Sequence, residues 1–340
     1  MKAIFLVKYG NARQAFEIRD IEIPAPGKGQ LLLKVETFGL NFADVMARKG
    51  LYREAPPLPA VLGYEVVGTV EKTGTGADAG FTGKKVVAFT RFGGYAQYVI
   101  ADARAVAELP SGYNNGQAAA LSTQYCTAYF AAYDMANLRK GETVLIHAAA
   151  GGVGIALTQL AKLRQCIVIG TAGSDEKLEF IQKQGVDYPV NYRTHDFAEA
   201  ISGMQNMEGV DVIFDPVGGK SVKKGKALLQ PGGRLITFGA SDQLNRRKGM
   251  LSGLKLMLDF GFIHPVGLLM KSNGIIGVNM LRIAEHKPMI LKETLESVVK
   301  LAEEKIIQPV VGKEYPANDI AEAHDFFESR KSMGKIVLHW

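Results

Sequence analysis

The 340-residue chain has only two cysteines, Cys126 and Cys166, and neither has a second ligand-type residue at metal spacing. A disulfide framework is therefore not expected, and the implied compartment is reducing, the cytoplasm. Its six histidines are scattered, again without metal spacing. No window holds about 18 uninterrupted apolar residues, so no membrane-spanning helix is expected. The opening MKAIFLVKYG reads as a strand. Its apolar run is too short for a signal peptide, and no small-residue cleavage site follows. Concentrated charge is lacking too. The formal net charge is +6, but the Lys and Arg residues are dispersed apart from Lys220–Lys226 and Arg246-Arg247-Lys248. That argues against a nucleic-acid-binding stripe. With 47% hydrophobic and 22% charged residues, the composition fits a folded chain of two domains.

The first 120 or so residues are rich in Gly, Pro and β-branched runs. LLLKVETFGL, EVVGTVEKTG and KKVVAFT read as short strands between turns. After Leu121 the pattern changes to strands alternating with helices: ETVLIHA, then VGIALTQLAKLR, then CIVIGT, then SDEKLEFIQKQG with Ser174 as N-cap and Gly185 just past its end. DYPVNY, VDVIFDPVGG, GRLITFG and GIIGVNM supply further strands. Such alternation predicts an α/β fold, a Rossmann-type doubly wound parallel sheet. A charged helix near Leu291–Glu304, strand-like IQPVVGKEYP, the helix ANDIAEAHDFFES and the strand KIVLHW should return to the first domain. The expected boundaries are 1–125 with 281–340 for a discontinuous β-rich domain, and 126–280 for the dinucleotide-binding domain.

HAAAGGVG follows a strand and opens a helix, the context a dinucleotide turn requires. Among the cofactor-binding residues Gly151, Gly152, Val153 and Gly154, Gly151 would let backbone approach a pyrophosphate and Gly154 would let helix and strand pack closely, with the helix dipole favouring the anion. Ala149 stands where a first glycine is usual, a tolerable change if φ stays negative. The next strand ends IGTAGSDEK. Gly173 and Ser174 occupy its tip, where an NAD site would place an acid on the ribose. Lys177, one turn into the helix, can reach a 2′-phosphate, which favours NADPH; the other reading is a solvated helix lysine.

Taken in order, FGLNFADVMARKGLY, GGYAQYV, LSTQYCTAY, AAAGGVG, DPVGG and GKIVL resemble the medium-chain dehydrogenase/reductase superfamily over nearly the whole length. The resemblance is to its zinc-free quinone oxidoreductase branch, and within that to the vesicle amine transport protein type. It implies a GroES-like first domain. Zinc-dependent members carry Cys where this chain has Asn41, His where it has Tyr64, and a further Cys where it has Thr123. No zinc site is expected from Asn, Tyr and Thr, and no metal is assigned. Without a Lewis acid the implied reaction is hydride transfer from NADPH to an activated acceptor, a quinone or an alkene conjugated to a carbonyl. The competing reading is a cofactor-binding protein with little turnover that acts through membrane or protein association.

The resemblance also implies site residues. Asn41 belongs near the nicotinamide, although a loop Asn also caps a following helix. Tyr52 stands at the mouth of the cleft as a donor to substrate oxygen, or as an ordinary half-buried tyrosine. Thr127 contacts the nicotinamide ribose or carboxamide, or packs a helix. Tyr192 flanks the 2′-phosphate with Lys177, and Arg193 assists. Val217 in DPVGG, Phe238-Gly239 and Val278-Asn279 end strands at the ligand edge of the sheet. Lys335 approaches the cofactor. GIIGVNM resembles the edge strand through which family members form homodimers. His147, before the glycine turn, invites a general-base reading; a structural role is the alternative.

One segment, Lys248–Asn273, exceeds the shorter link of small quinone reductases. Leu254, Met257, Leu258 and Phe262 recur at helical spacing. It reads as a lid, as a dimer contact, or as a membrane-surface patch following Arg246-Arg247-Lys248. The lid is favoured over membrane contact.

Overall fold

A computed structural model describes residues 1–205, 207–242 and 258–340. The chain divides into two compact units, Met1–Cys126 with Met280–Trp340, and Thr127–Asn279. Strands are numbered along the chain.

In the first unit, β1 (Lys2–Leu6), β2 (Phe16–Asp20) and β4 (Ala60–Val61) form a small sheet in the order β2-β1-β4. A larger sheet contains β3 (Gln30–Leu40), β5 (Glu65–Thr73), β6 (Lys85–Phe89), β7 (Tyr98–Asp102), β8 (Val106–Glu108), β15 (Val311–Pro316) and β16 (Lys335–His339). Its order is β15-β16-β3-β5-β6-β8, with β7 also on β3. The 11-residue β3 is the spine. It pairs with β5, β7 and β16, so little of it faces water, and Leu31, Leu33, Phe38 and Leu40 are fully buried. Each such side chain contributes about 1.5–3 kcal/mol on leaving water. β16 runs antiparallel to β3, with Val337 opposite Gly39 and Ile336 opposite Leu40. This pairing makes the unit discontinuous in sequence. A helix, Phe42–Arg48, leaves β3 at Asn41; Asp44, three residues on, accepts the Asn41 backbone N–H at 2.8 Å.

The second unit is built on six parallel strands: β9 (Thr143–Ile146), β10 (Ile167–Ala172), β11 (Tyr188–Asn191), β12 (Val210–Asp215), β13 (Leu229–Thr237) and β14 (Gly274–Gly277). Their order, β11-β10-β9-β12-β13-β14, is the doubly wound one, with the reversal between β9 and β12. Leu145, Ile169, Ile213 and Leu235 from four adjacent strands bury a common core. Ser174 caps the helix Asp175–Lys183, and Gly185 past its end takes φ 104°.

Two expectations shift. The charged helix begins at Pro288 rather than near Leu291, because proline at the first helical position needs no N–H partner. The Leu254/Phe262 periodicity does not continue as one helix. Leu254, Met257 and Arg246-Arg247-Lys248 lie outside the described residues. Phe262 stands in a non-helical link after Gly261 (φ 76°), and a new helix, Pro265–Lys271, starts with proline in its first turn. Among the described residues no helix is long and apolar enough to cross a membrane.

Candidate functional site

In the first unit, strand ends bring four polar side chains together. Asn41 follows β3, Asp44 sits in the helix after it, Glu65 opens β5, and Lys335 opens β16. The Lys335 ammonium and the Glu65 carboxylate form an ion pair in which both side chains are wholly buried. Lys335 Nζ also donates to Asn41 Oδ1 (3.0 Å) and to the Leu40 carbonyl (3.3 Å). Asn41 Nδ2 donates to Glu65 Oε1 at 2.8 Å. Asp44 accepts the N–H groups of Asn41 and Gly63. Burial pushes the Asp44 carboxyl up to about 7; the Asn41 N–H opposes this and the nearby Glu65 charge adds to it. Gly39 makes the arrangement possible. A Cβ there would stand 1.9 Å from Glu65 Oε1 and 2.4 Å from Lys335 Cε.

Beside this cluster, Tyr52 and Tyr64 meet edge to face with ring centroids 6.3 Å apart. Tyr52 is half-buried, and burial raises its phenol pKa, so it keeps its proton. Tyr64 is buried, and its phenol is raised well above the ordinary value, again chiefly by burial. This donor set does not suit zinc. Asn41 and Tyr64 offer no thiolate or imidazole, and an ammonium already meets the Asn41 amide oxygen and one oxygen of Glu65. Among the described residues no group of three or more His, Cys, Asp or Glu could hold a metal.

In the second unit the turn after β9 leads into the helix Gly152–Leu163, whose N-cap is Gly151. No side chain caps this helix, which leaves its first N–H groups available to an anion. Ala149 keeps a negative φ; the left-handed step falls one residue earlier, on Ala148 (φ 53°). A Cβ on Gly154 would lie 2.5 Å from the Ala148 carbonyl oxygen, so only glycine lets helix and turn pack this closely. At the tip of β10, Ser174 Oγ accepts the Lys177 N–H. The half-buried Lys177 has its ammonium pKa lowered by burial and then by the charge of Arg193. Tyr192 lies over Gly173, where a Cβ would come within 2.6 Å of its hydroxyl. Asp175 is engaged by Asn191 Nδ2 at 3.2 Å. Two cations and a phenol thus gather where no carboxylate ends the strand.

Asp215, at the end of β12, is fully buried and accepts the N–H groups of Val217 (2.6 Å) and Gly218 (2.9 Å) and the Ser221 hydroxyl. Gly239 comes so close to Pro216 that a Cβ would lie 2.6 Å from its carbonyl oxygen. The half-buried Phe238 donates its N–H to Asp215 O, and the Val278 N–H goes to Thr237 O. Asn279 ends this unit and half-buried Thr127 begins it. His147 is buried, shares a hydrogen bond with Thr171 Oγ1 at 3.1 Å, and packs edge-on against Phe197. Burial lowers its pKa, so it stays neutral, as a structural histidine would.

The sequence reading passed over Glu65 and Asp44 and gave Lys335 a direct cofactor contact. Its ammonium already has three acceptors. A signal was present: each of these charges stands within an otherwise apolar strand or helix start, where an unpaired charge is not tolerated.

A family model described as alcohol dehydrogenase GroES-like domain matches residues 27–111, and one described as zinc-binding dehydrogenase matches 184–338. The chain is 33% identical to the synaptic vesicle membrane protein VAT-1 homolog of Danio rerio over 93% of this chain, and it spans 65% of that protein's length. It is 32% identical to the quinone oxidoreductase of Rattus norvegicus, covering 99% of this chain and 97% of that one. The structure of Escherichia coli quinone oxidoreductase complexed with NADPH superimposes with a TM-score of 0.87 at 27% identity, covering all of both chains. The polar cluster departs from a zinc centre, but the fold, the glycine turn and these likenesses agree: the chain belongs to the medium-chain dehydrogenase/reductase superfamily, a family of oxidoreductases that includes the quinone oxidoreductases.

Proposed function

We propose that the protein transfers hydride from NADPH to a quinone or an α,β-unsaturated carbonyl, with no part for a metal. The observation that carries this reading is the ligand edge of the second unit. An uncapped helix N-terminus after Gly151 suits a pyrophosphate, and the Lys177–Arg193 pair beside Tyr192 suits a 2′-phosphate. Burial first, and then the Arg193 charge, depress the Lys177 pKa, and a dianion there would favour the charged ammonium. The Escherichia coli relative's NADPH supports the same choice. NADPH, when bound, supplies the hydride. Gly151, Gly152, Val153 and Gly154 would hold the pyrophosphate through backbone, and Gly173, Ser174, Lys177 and Tyr192 the adenosine end. Thr127, Val217, Phe238, Gly239, Val278 and Asn279 would frame the nicotinamide. Asn41 and Tyr52 would donate hydrogen bonds to the acceptor's carbonyl oxygen as charge builds on it. Tyr52 carries its O–H at neutral pH, as an ordinary phenol does, and burial holds its pKa higher still.

The rest of the reading concerns setting. Cys126 and Cys166 are buried free thiols, which supports a cytoplasmic protein. β14 ends its sheet with β13 as its neighbour, an edge on which a second copy can pair. Phe260 packs over the β12 turn; a Cβ on Gly218 would come 2.9 Å from its ring. That contact favours a lid role for the segment reaching Asn273. A second reading, association with a membrane or protein, is favoured by Phe262, Leu269 and Met270, which are 83%, 77% and 82% exposed.

An acceptor screen tests the proposal. NADPH oxidation is followed with quinones, enones and alkenals, with NADH as control. Turnover with at least one class, and a preference for NADPH, is expected. Tight NADPH binding with no turnover on any acceptor, together with salt-sensitive sedimentation on anionic vesicles, would replace it with the second reading.

A further inference from the structure

We infer that Glu65 and Lys335 are positioning residues, which lock the Asn41 amide in one orientation and leave one Nδ2 hydrogen for a ligand's carbonyl oxygen. The inference deepens the proposed function and rests on it for its catalytic consequence. An asparagine amide has nearly the same shape when flipped by 180°, so chemistry must choose its orientation. Here it does. The Lys335 ammonium can only donate, so the atom it meets at 3.0 Å is the amide oxygen. The Glu65 carboxylate accepts, so the atom at 2.8 Å is the amide nitrogen. A flipped amide would set N–H against ammonium and oxygen against carboxylate.

The donor count separates the roles. Lys335 has three N–H groups and three acceptors: Glu65, Asn41 Oδ1 and the Leu40 carbonyl. With its side chain fully buried, it has no donor left for a ligand. Asn41 Nδ2 uses one hydrogen on Glu65 and keeps the other. Asn41 is 9% exposed, whereas its two partners are sealed. Only the amide can therefore touch a bound molecule, and the ion pair acts through it. Gly39 provides the room, since any side chain there would displace both partners. A carbonyl oxygen fits the offered N–H, because it accepts without bringing a donor of its own.

A purely structural role, closing β16 onto β3, makes a different prediction. The test uses the full chain with Glu65→Gln and Lys335→Met combined, which removes both charges and leaves neither buried alone. Side-chain amide signals are recorded by ¹⁵N–¹H spectroscopy without ligand, and the Asn41 pair is assigned by its loss in Asn41→Ala. In the combined variant the Asn41 signals should move and exchange with solvent about tenfold faster, as a released amide does. NADPH affinity should hold, while kcat falls about tenfold; in an Asn41→Ala background the same two changes should cost no further kcat. Unchanged Asn41 signals, or losses in kcat that multiply with that of Asn41→Ala, would overturn the inference. If the combined variant does not fold, Lys335→Arg replaces it: moved Asn41 signals support the lock, and unmoved ones refute it. A wild-type protein that shows the locked amide but reduces no acceptor would sink the proposed function alone.

Discussion

Lys335 and Glu65 meet inside the first unit with water shut out, and the three N–H groups of the ammonium end on protein oxygens. At the tip of β10 the arrangement is reversed. Lys177 and Arg193 crowd like charges together, Tyr192 is 42% exposed, and the nearby helix starts without a side-chain cap. In the first cluster every donor of the ammonium is used and both charges are sealed, so a ligand meets it through the one amide it orients. In the second, burial and then the neighbouring Arg193 charge disfavour the Lys177 ammonium, and Glu176 opposes them. Mutations should therefore strike the first chiefly as stability and orientation, and the second chiefly as binding.

The harshest way to break this contrast is Lys335→Met alone. It strands the Glu65 carboxylate in the interior, and chemical denaturation should show a loss of about 3–5 kcal/mol. A loss below about 1 kcal/mol would mean that the cluster is open to water after all. Gly151→Val should act in the opposite manner. A Cβ there meets only the Ala148 carbonyl, at 3.3 Å, so the fold should survive. The branched side chain would cover the pyrophosphate path, and NADPH and NADH affinities should fall together by more than about tenfold, read by cofactor fluorescence. Selective loss of one cofactor would show that the turn does not carry the pyrophosphate.

Lys177→Ala sharpens the open side. NADPH binding should weaken by roughly 1.5–3 kcal/mol, with NADH nearly unaffected, because only the former carries the 2′-phosphate. Equal losses would remove Lys177 from the phosphate site. The smallest effect belongs to Asp44. Its folded pKa, about 7, lies above the unfolded value, so the folded state binds the extra proton. Its contribution is fully present below the unfolded pKa and is lost as pH rises through about 7. Between pH 6 and 8 the wild type should lose about 1 kcal/mol relative to Asp44→Asn. Parallel pH profiles would show that Asp44 is not buried as described.

Much of the second unit was legible because its signals are local. Strand, glycine turn and helix follow one another between Thr143 and Leu163, and Ser174 and Gly185 bracket their helix as caps do. Neighbours in sequence carry that information. The Asn41 cluster was not legible for the opposite reason. Asn41 and Lys335 are 294 positions apart, and no local pattern pairs them. Nothing around Gly39 in the sequence shows that the Glu65 and Lys335 side chains stand where its Cβ would be. The break at Gly261 was missed because a 3.6-residue period ending at Phe262 was followed through a residue at positive φ. Arg193 was reached only through the family resemblance, because no local pattern sets its charge against Lys177, 16 positions earlier.

The pairing of β16 with β3 also orders events in time. A ribosome delivers Asn41 early and Lys335 almost 300 residues later. Throughout that interval the Thr37–Leu40 end of β3 lacks β16, and Glu65 lacks the Lys335 ammonium. The second unit, contiguous from Thr127 to Asn279, can condense while the chain is still growing. The Asn41–Glu65–Lys335 cluster is therefore completed last, after the contiguous unit that carries the glycine turn.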